Sequence, residues 1–111
     1  MLTNDLLEAK AALFDEGSEA PLLAARFMKS LSHPDRLKIL CVLSIEEQTV
    51  TEIEQAVGAS QSSVSQHLSK LKDEGIVSAR RDGRQIIYSI QDQTVLGVIE
   101  ILYHRFCAPD G

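Results

Sequence analysis

Residues 51–90 read TEIEQAVGASQSSVSQHLSKLKDEGIVSARRDGRQIIYSI, and the order of signals in this stretch decides the fold. Thr51-Glu52-Ile53-Glu54 has the spacing of a capping box, with Thr51 expected to accept from the backbone N–H of Glu54 and the Glu54 side chain to reach back. Ile53 and Val57 would face inward, and Gly58 permits a sharp turn. A second helix follows within Ala59–Glu74, with Ser60 as N-cap and Val64, Leu68 and Leu71 recurring at helical spacing. After Gly75, the runs Ile76–Arg81 and Arg84–Ile90 flank Asp82-Gly83, a two-residue hairpin signal. Helix, glycine turn, helix and ribbon in this order predict a helix-turn-helix over about 51–74 and a wing over about 76–90.

The second of these helices has one apolar stripe, and the rest of its surface is short hydrogen-bonding chemistry. Gln61, Ser62, Ser63, Ser65, Gln66 and His67 lead to a cation at Lys70. Gln can read adenine bidentately, Ser can serve either edge of a base pair, and Lys near the helix end can meet a phosphate. A helix that merely faced solvent would carry Glu/Lys pairs four apart, and this one has none before Lys70. Arg80, Arg81 and Arg84 are expected to cluster at the tip of the ribbon, where they would meet phosphates or a minor groove. Three arginines at an isolated turn would be a solvated cluster; beside a recognition helix they point to double-stranded DNA.

Length bounds the architecture to one small domain, residues 1–111, mainly α with a small β-hairpin wing. The formal net charge of −5 looks unsuited to DNA until it is divided along the chain. Residues 1–60 hold five Lys/Arg against ten Asp/Glu, whereas residues 61–111 hold six against six. Overall acidity weakens non-specific binding, so affinity must come from specific contacts and from doubling the site in a dimer. No apolar run approaches a membrane span, and Met1–Asp5 lacks the basic start and apolar core of a signal peptide, so the expected location is cytoplasmic.

Outside the winged unit, Asn4–Glu16 reads as a helix with Leu6, Ala9 and Leu13 on one stripe, closed by Gly17. Glu19–Ser30 reads as another, and both are assigned to core by default. Pro34 suits the first position of a third helix that runs to about Ile45 with Leu37, Leu40, Cys41 and Ser44 on one face. Thr49-Val50 is a short edge strand. The last helix, about 94–106, is apolar around most of its circumference through Val95, Leu96, Val98, Ile99, Ile101, Leu102, Tyr103 and Phe106. Such a helix has more apolar surface than its own domain can cover, which predicts a two-fold homodimer. Its recognition helices would address half-sites about 34 Å apart.

His33-Pro34-Asp35-Arg36-Leu37-Lys38-Ile39-Leu40, Gln61-Ser62-Ser63-Val64-Ser65-Gln66-His67-Leu68, Gly75-Ile76-Val77, Arg81-Asp82-Gly83-Arg84 and Tyr88 together resemble the ArsR family of winged-helix repressors. The resemblance covers nearly the whole chain. It implies a homodimer built from the first and last helices, about 4–16 and 94–106, that holds operator DNA until an inducer releases it. The inducer is not implied, because the family places different sensor sites on one scaffold.

The family's thiolate metal site needs two cysteines separated by one residue on the third helix, but Cys41 is followed by Val42 and Leu43. Its site on the last helix begins with Asp-x-His, and the chain has Asp92-Gln93-Thr94 there, where Asp92 serves as a helix cap. His33, His67 and His104 have no mutual spacing for a tetrahedral set, so neither a metal nor any other cofactor is expected.

Two cysteines remain, Cys41 and Cys107. Composition favours Cys41 as a small core residue on the inward stripe of its helix. Cys107 follows Phe106 at a helix end and is expected to be partly accessible, with His104 and Arg105 favouring a thiolate and the helix dipole opposing it. One cysteine on the third helix and one at the end of the last resembles the persulfide-sensing SqrR/BigR branch. The resemblance implies that reactive sulfur species link the two thiols within one subunit and lower operator affinity. Thiols whose Cα atoms lie beyond about 7 Å cannot form an unstrained disulfide, whereas inserted sulfur can span the gap. Two alternatives stay open: a winged-helix repressor sensing metal or peroxide, and a winged-helix module that binds protein. No nucleophile, base and orienting residue fall together, and no glycine-rich phosphate loop occurs, which argues against an enzyme.

Overall fold

The computed structural model describes residues 2–109, which form two compact units divided between Leu31 and Ser32. The first unit is a pair of helices, α1 (Leu2–Phe14) and α2 (Ala20–Ser30). Gly17 turns the chain between them at φ +88°, a left-handed conformation that favours glycine. The stripe assigned to core is largely open in the single chain: Leu6, Leu13, Leu22, Leu23 and Met28 are all exposed. Two helices alone cannot bury both apolar faces.

The second unit contains α3 (Pro34–Ile45), β1 (Gln48–Thr49), α4 (Val50–Val57), α5 (Gln61–Asp73), β2 (Val77–Asp82), β3 (Gln85–Ile90) and α6 (Thr94–Phe106). The three strands form an antiparallel sheet in the order β1-β3-β2. One core joins the helices to the sheet. Ile39 and Leu40 of α3, Ile53 of α4, Val64, Leu68 and Leu71 of α5, and Val95 of α6 are completely enclosed, as are Ile76 and Val77 where the wing begins. The expected apolar stripe of α5 is thus the buried one.

Three local readings shift. The capping box starts two residues earlier than Thr51: Thr49 Oγ1 accepts from the Glu52 N–H at 3.2 Å, and Glu52 Oε1 accepts from the Thr49 N–H at 2.8 Å. The pattern Thr-x-x-Glu occurs at both 49–52 and 51–54, and the earlier copy lets Thr49 close β1 and open α4 in one step. Val50, expected in the edge strand, is therefore the first residue of α4. In the wing, Asp82 pairs with Gln85, so the two-residue turn is Gly83-Arg84 rather than Asp82-Gly83. Primed hairpin turns need positive φ at their first central residue, and Gly83 supplies it at +66°.

The third shift concerns Cys41, which is exposed rather than inward. The buried positions of α3 are Ile39, Leu40 and Leu43, so the inward stripe is rotated from the one drawn through Leu40, Cys41 and Ser44. Asp92, expected as the cap of the last helix, lies one residue before the N-cap Gln93, although its Oδ1 still accepts from the Thr94 N–H at 3.0 Å.

Candidate nucleic-acid interface and thiol groove

The turn between α4 and α5 is set by Gly58, at φ +77°, and by Ser60, whose hydroxyl accepts from the Ser63 N–H at 3.1 Å. With Val64, Leu68 and Leu71 fixed in the core, the helical repeat sends Gln61, Ser62, Ser65, Gln66 and Ser69 along one exposed stripe, with Lys70 at its end. Ser63 is half-buried beside the cap. The stripe has no carboxylate. Gly75, at φ +75°, then ends the helix, and the Ile76 N–H returns to the Leu71 carbonyl at 2.9 Å, which launches β2 straight from the recognition helix.

His67 departs from that stripe. Its ring packs against His33 with centroids 4.5 Å apart, and its Nδ1 accepts from Arg36 Nε at 3.1 Å. His33 in turn caps α3, its Nδ1 accepting from the Asp35 N–H at 3.0 Å. The start of α3 and the middle of α5 are therefore latched together by three side chains that sequence spacing did not connect. Burial lowers the His67 pKa below the ordinary histidine value, and the neighbouring His33 and Arg36 charges lower it further against a small opposing effect of Asp35.

One donor atom from each of His33, Asp35 and His67 lies within 4.8 Å of the others, a three-ligand grouping that does not include His104. Both Nδ1 atoms are already acceptors, which places the neutral ring protons on Nε2, so a metal would have to displace the Asp35 N–H or the Arg36 guanidinium to bind. The arrangement suits a polar latch.

The wing arginines separate into different environments. Arg84 stands in the turn itself, and Arg81 lies just before it, with a 3.5 Å contact to the Gly83 carbonyl. Arg80 is instead held by Glu47, Nη2 to Oε2 at 2.6 Å, across a sequence separation of 33. The three do not form one cluster at the tip.

Away from the helix-turn-helix, α3 and α6 leave an open groove of about 390 Å³ between them. Leu37, Lys38 and Cys41 line it from α3. Ile99, Leu102, Phe106 and Cys107 face them from α6 and its C-cap, with Tyr103 alongside. Both thiols are free and exposed. Residues 66 positions apart in sequence thus share the wall of a single cavity, with hydrocarbon and ring surface around them.

The profile described as bacterial regulatory protein, arsR family, matches residues 33–79, from the His67-binding cap of α3 to the first half of the wing. The HTH-type transcriptional regulator YgaV of Escherichia coli is 41% identical over 76% of this chain and 86% of its own length. The chain belongs to the arsR family. Among solved structures, the transcriptional repressor BigR of Xylella fastidiosa superposes with a TM-score of 0.75 at 39% identity, covering 81% of this chain and 91% of that one. Reduced HlyU of Vibrio cholerae does so with a TM-score of 0.76 at 31% identity, covering 81% and 95%. A winged helix-turn-helix, expected from residues 51–90, is therefore shown, and the chain is a DNA-binding transcriptional regulator rather than an enzyme. Among the described residues no helix is long and apolar enough to cross a membrane.

Proposed function

We propose that this arsR-family regulator is a cytoplasmic repressor that binds near-palindromic operator DNA as a homodimer and releases it when reactive sulfur species join Cys41 to Cys107 within one subunit. The observation that carries the reading is the groove shared by the two exposed thiols. The likeness to BigR, a transcriptional repressor, and to HlyU, solved in a reduced form, supports it.

DNA recognition falls to Gln61, Ser62, Ser65 and Gln66 at base edges, with Ser63 near the cap, Lys70 and Arg84 on phosphates, and Arg81 beside the turn. His67 and Arg80 contribute by holding α5 and the wing in place. Dimerisation covers the faces left open on α1 and α6, where Leu6, Leu13, Leu96, Ile101 and Tyr103 are exposed. Val95 is completely buried and Ile99 and Leu102 are half-buried, which leaves Leu96, Ile101, Tyr103 and Phe106 as the large apolar residues of α6 available to a partner.

The sulfur chemistry balances without an outside oxidant. Each cysteine thiolate takes the terminal sulfur of one hydropersulfide, RSSH, and releases RSH. The persulfide anion on one cysteine then attacks the cysteine-bound sulfur of the other persulfide and expels hydrosulfide. Two thiols and two RSSH thereby yield one trisulfide bridge, two RSH and one molecule of hydrogen sulfide. The bridge ties α3 to α6, and α3 also holds His67 of the recognition helix through Arg36, so the covalent change reaches the DNA-reading element through one rigid helix. A coupling of about 1–3 kcal/mol is typical between linked sites and suffices for release.

The test is operator release by Cys41→Ser and Cys107→Ser. Each reduced variant should bind operator nearly as the parent does and fail to release it on treatment with a persulfide donor. Release by either single variant, or release of the parent by zinc but not by reactive sulfur, would overturn the reading.

A further inference from the structure

Two cations belong to or touch the wall of the thiol groove. Lys38 precedes Cys41 by three residues on α3, which makes them neighbours on one helical face, and both line the groove. A lysine in such a wall can lay its stem along apolar surface and keep its ammonium in water. The Arg105 guanidinium sits over the ring of Phe106, 4.7 Å from the centroid, and Phe106 is itself a wall of the groove. No carboxylate lines the cavity. In a chain whose formal charge is −5, an apolar slot with a lysine and no carboxylate in its wall, and an arginine stacked on a wall residue, departs from the general charge of the chain.

We propose that Lys38 and Arg105 make this groove selective for anionic sulfur donors, small polysulfides or persulfides that carry a negative charge beside their sulfane sulfur. The inference rests on the bridging of Cys41 and Cys107 proposed above and names the class of donor that performs it. The physical reason is charge. The reacting form of cysteine is the thiolate, and an anionic donor approaching it is repelled unless nearby cations offset that repulsion. The apolar walls accommodate the sulfur chain while the two cations meet the charged ends. With an organic trisulfide, RSSSR, each thiolate in turn attacks the central sulfur and expels RS⁻, which takes up a proton. Two thiols and one trisulfide give the cysteine trisulfide bridge and two RSH.

The test compares bis(2-carboxyethyl) trisulfide, a dianion, with bis(2-hydroxyethyl) trisulfide, which is neutral and has the same sulfur core. The rate of sulfur incorporation into the full-length reduced protein is followed by intact mass. The Lys38→Gln/Arg105→Gln variant should react about tenfold more slowly with the dianion and within about twofold of the parent with the neutral donor. Lys10→Gln/Lys72→Gln, which removes the same charge elsewhere, should match the parent with both donors. Salt at about 0.5 M should erase the parent's preference for the dianion. Equal slowing with both donors, no slowing with either, or the same loss in the control variant would each overturn the cationic selectivity while leaving the bridge standing. A parent protein that takes up no sulfur from either donor would overturn the bridge reading and this inference together.

Discussion

Replacing Arg84 by alanine removes a cation from the turn of the wing, whereas replacing Arg80 removes one already held by Glu47 at 2.6 Å. The two changes look equivalent in sequence and should differ on DNA. Each phosphate neutralised contributes roughly 0.9 to the slope of log affinity against log salt concentration, so losing one contact from each wing of a dimer should flatten that slope by about 1.8. Over a rise from about 50 to 200 mM salt, the Arg84→Ala protein should therefore lose roughly tenfold less affinity than the parent loses. Arg80→Ala should change the slope by less than half as much. Its ion pair is about half exposed, 55% and 50% for the two side chains, and exposed pairs contribute about 0–1 kcal/mol to stability, so the variant should remain folded. Fluorescence anisotropy with labelled operator at a series of salt concentrations measures both slopes. Equal flattening by the two substitutions would refute the division of roles within the wing.

Gln66→Ala on the exposed stripe of α5 should relax sequence preference at one position per half-site, costing about 1–3 kcal/mol on operator and little on unrelated DNA; competition with single-base operator variants measures this. His67 has a lowered pKa when folded, so between that value and the ordinary histidine range the unfolded chain holds a proton that the native state lacks. Its contribution to stability is complete above the unfolded pKa and is lost as pH falls from there through the folded one; His67→Gln, which can still accept from Arg36, should show a smaller drop in Tm between about pH 7.5 and 5. An unchanged pH dependence would show that the latch does not titrate. Ile101 is 68% exposed on α6, and Ile101→Glu should leave the helical circular dichroism intact while shifting sedimentation to monomer and weakening operator binding, because a two-fold interface would bury two unpaired carboxylates. Retention of the dimer would place the interface elsewhere.

What the sequence made legible was local. The i, i+4, i+7 spacing of Val64, Leu68 and Leu71 located the buried face of α5, and Ser60, Gly58 and Gly75 marked its ends through caps and turns that act within a few residues. Two competing local signals misplaced details, since the Thr-x-x-Glu pattern occurs twice and a glycine can occupy either central position of a primed turn. Cys41 was harder, because α3 is apolar on more than one side and its periodicity does not single out one inward stripe. Contacts across the fold gave no signal at all. Arg36 and His67 are 31 residues apart, Glu47 and Arg80 are 33 apart, and only the packing of α3 against α5 and the placement of β1 and β2 on either side of β3 bring them together. The shared groove is of this kind too. A family resemblance paired Cys41 with Cys107; the physical basis for the pairing is the packing of α3 on α6, which no spacing between the two residues encodes.

The central claim is that reactive sulfur joins Cys41 to Cys107 within one subunit. Tandem mass spectrometry after treatment with a hydropersulfide donor and digestion under non-reducing conditions tests it most directly. The expected product is a cross-linked species holding the Cys41 and Cys107 peptides with at least one sulfur atom inserted between them, formed within one chain when differently labelled protomers are mixed, and lost on addition of thiol reductant together with recovery of operator binding. Unlinked persulfides on the two cysteines, or a link only between differently labelled chains, would contradict it.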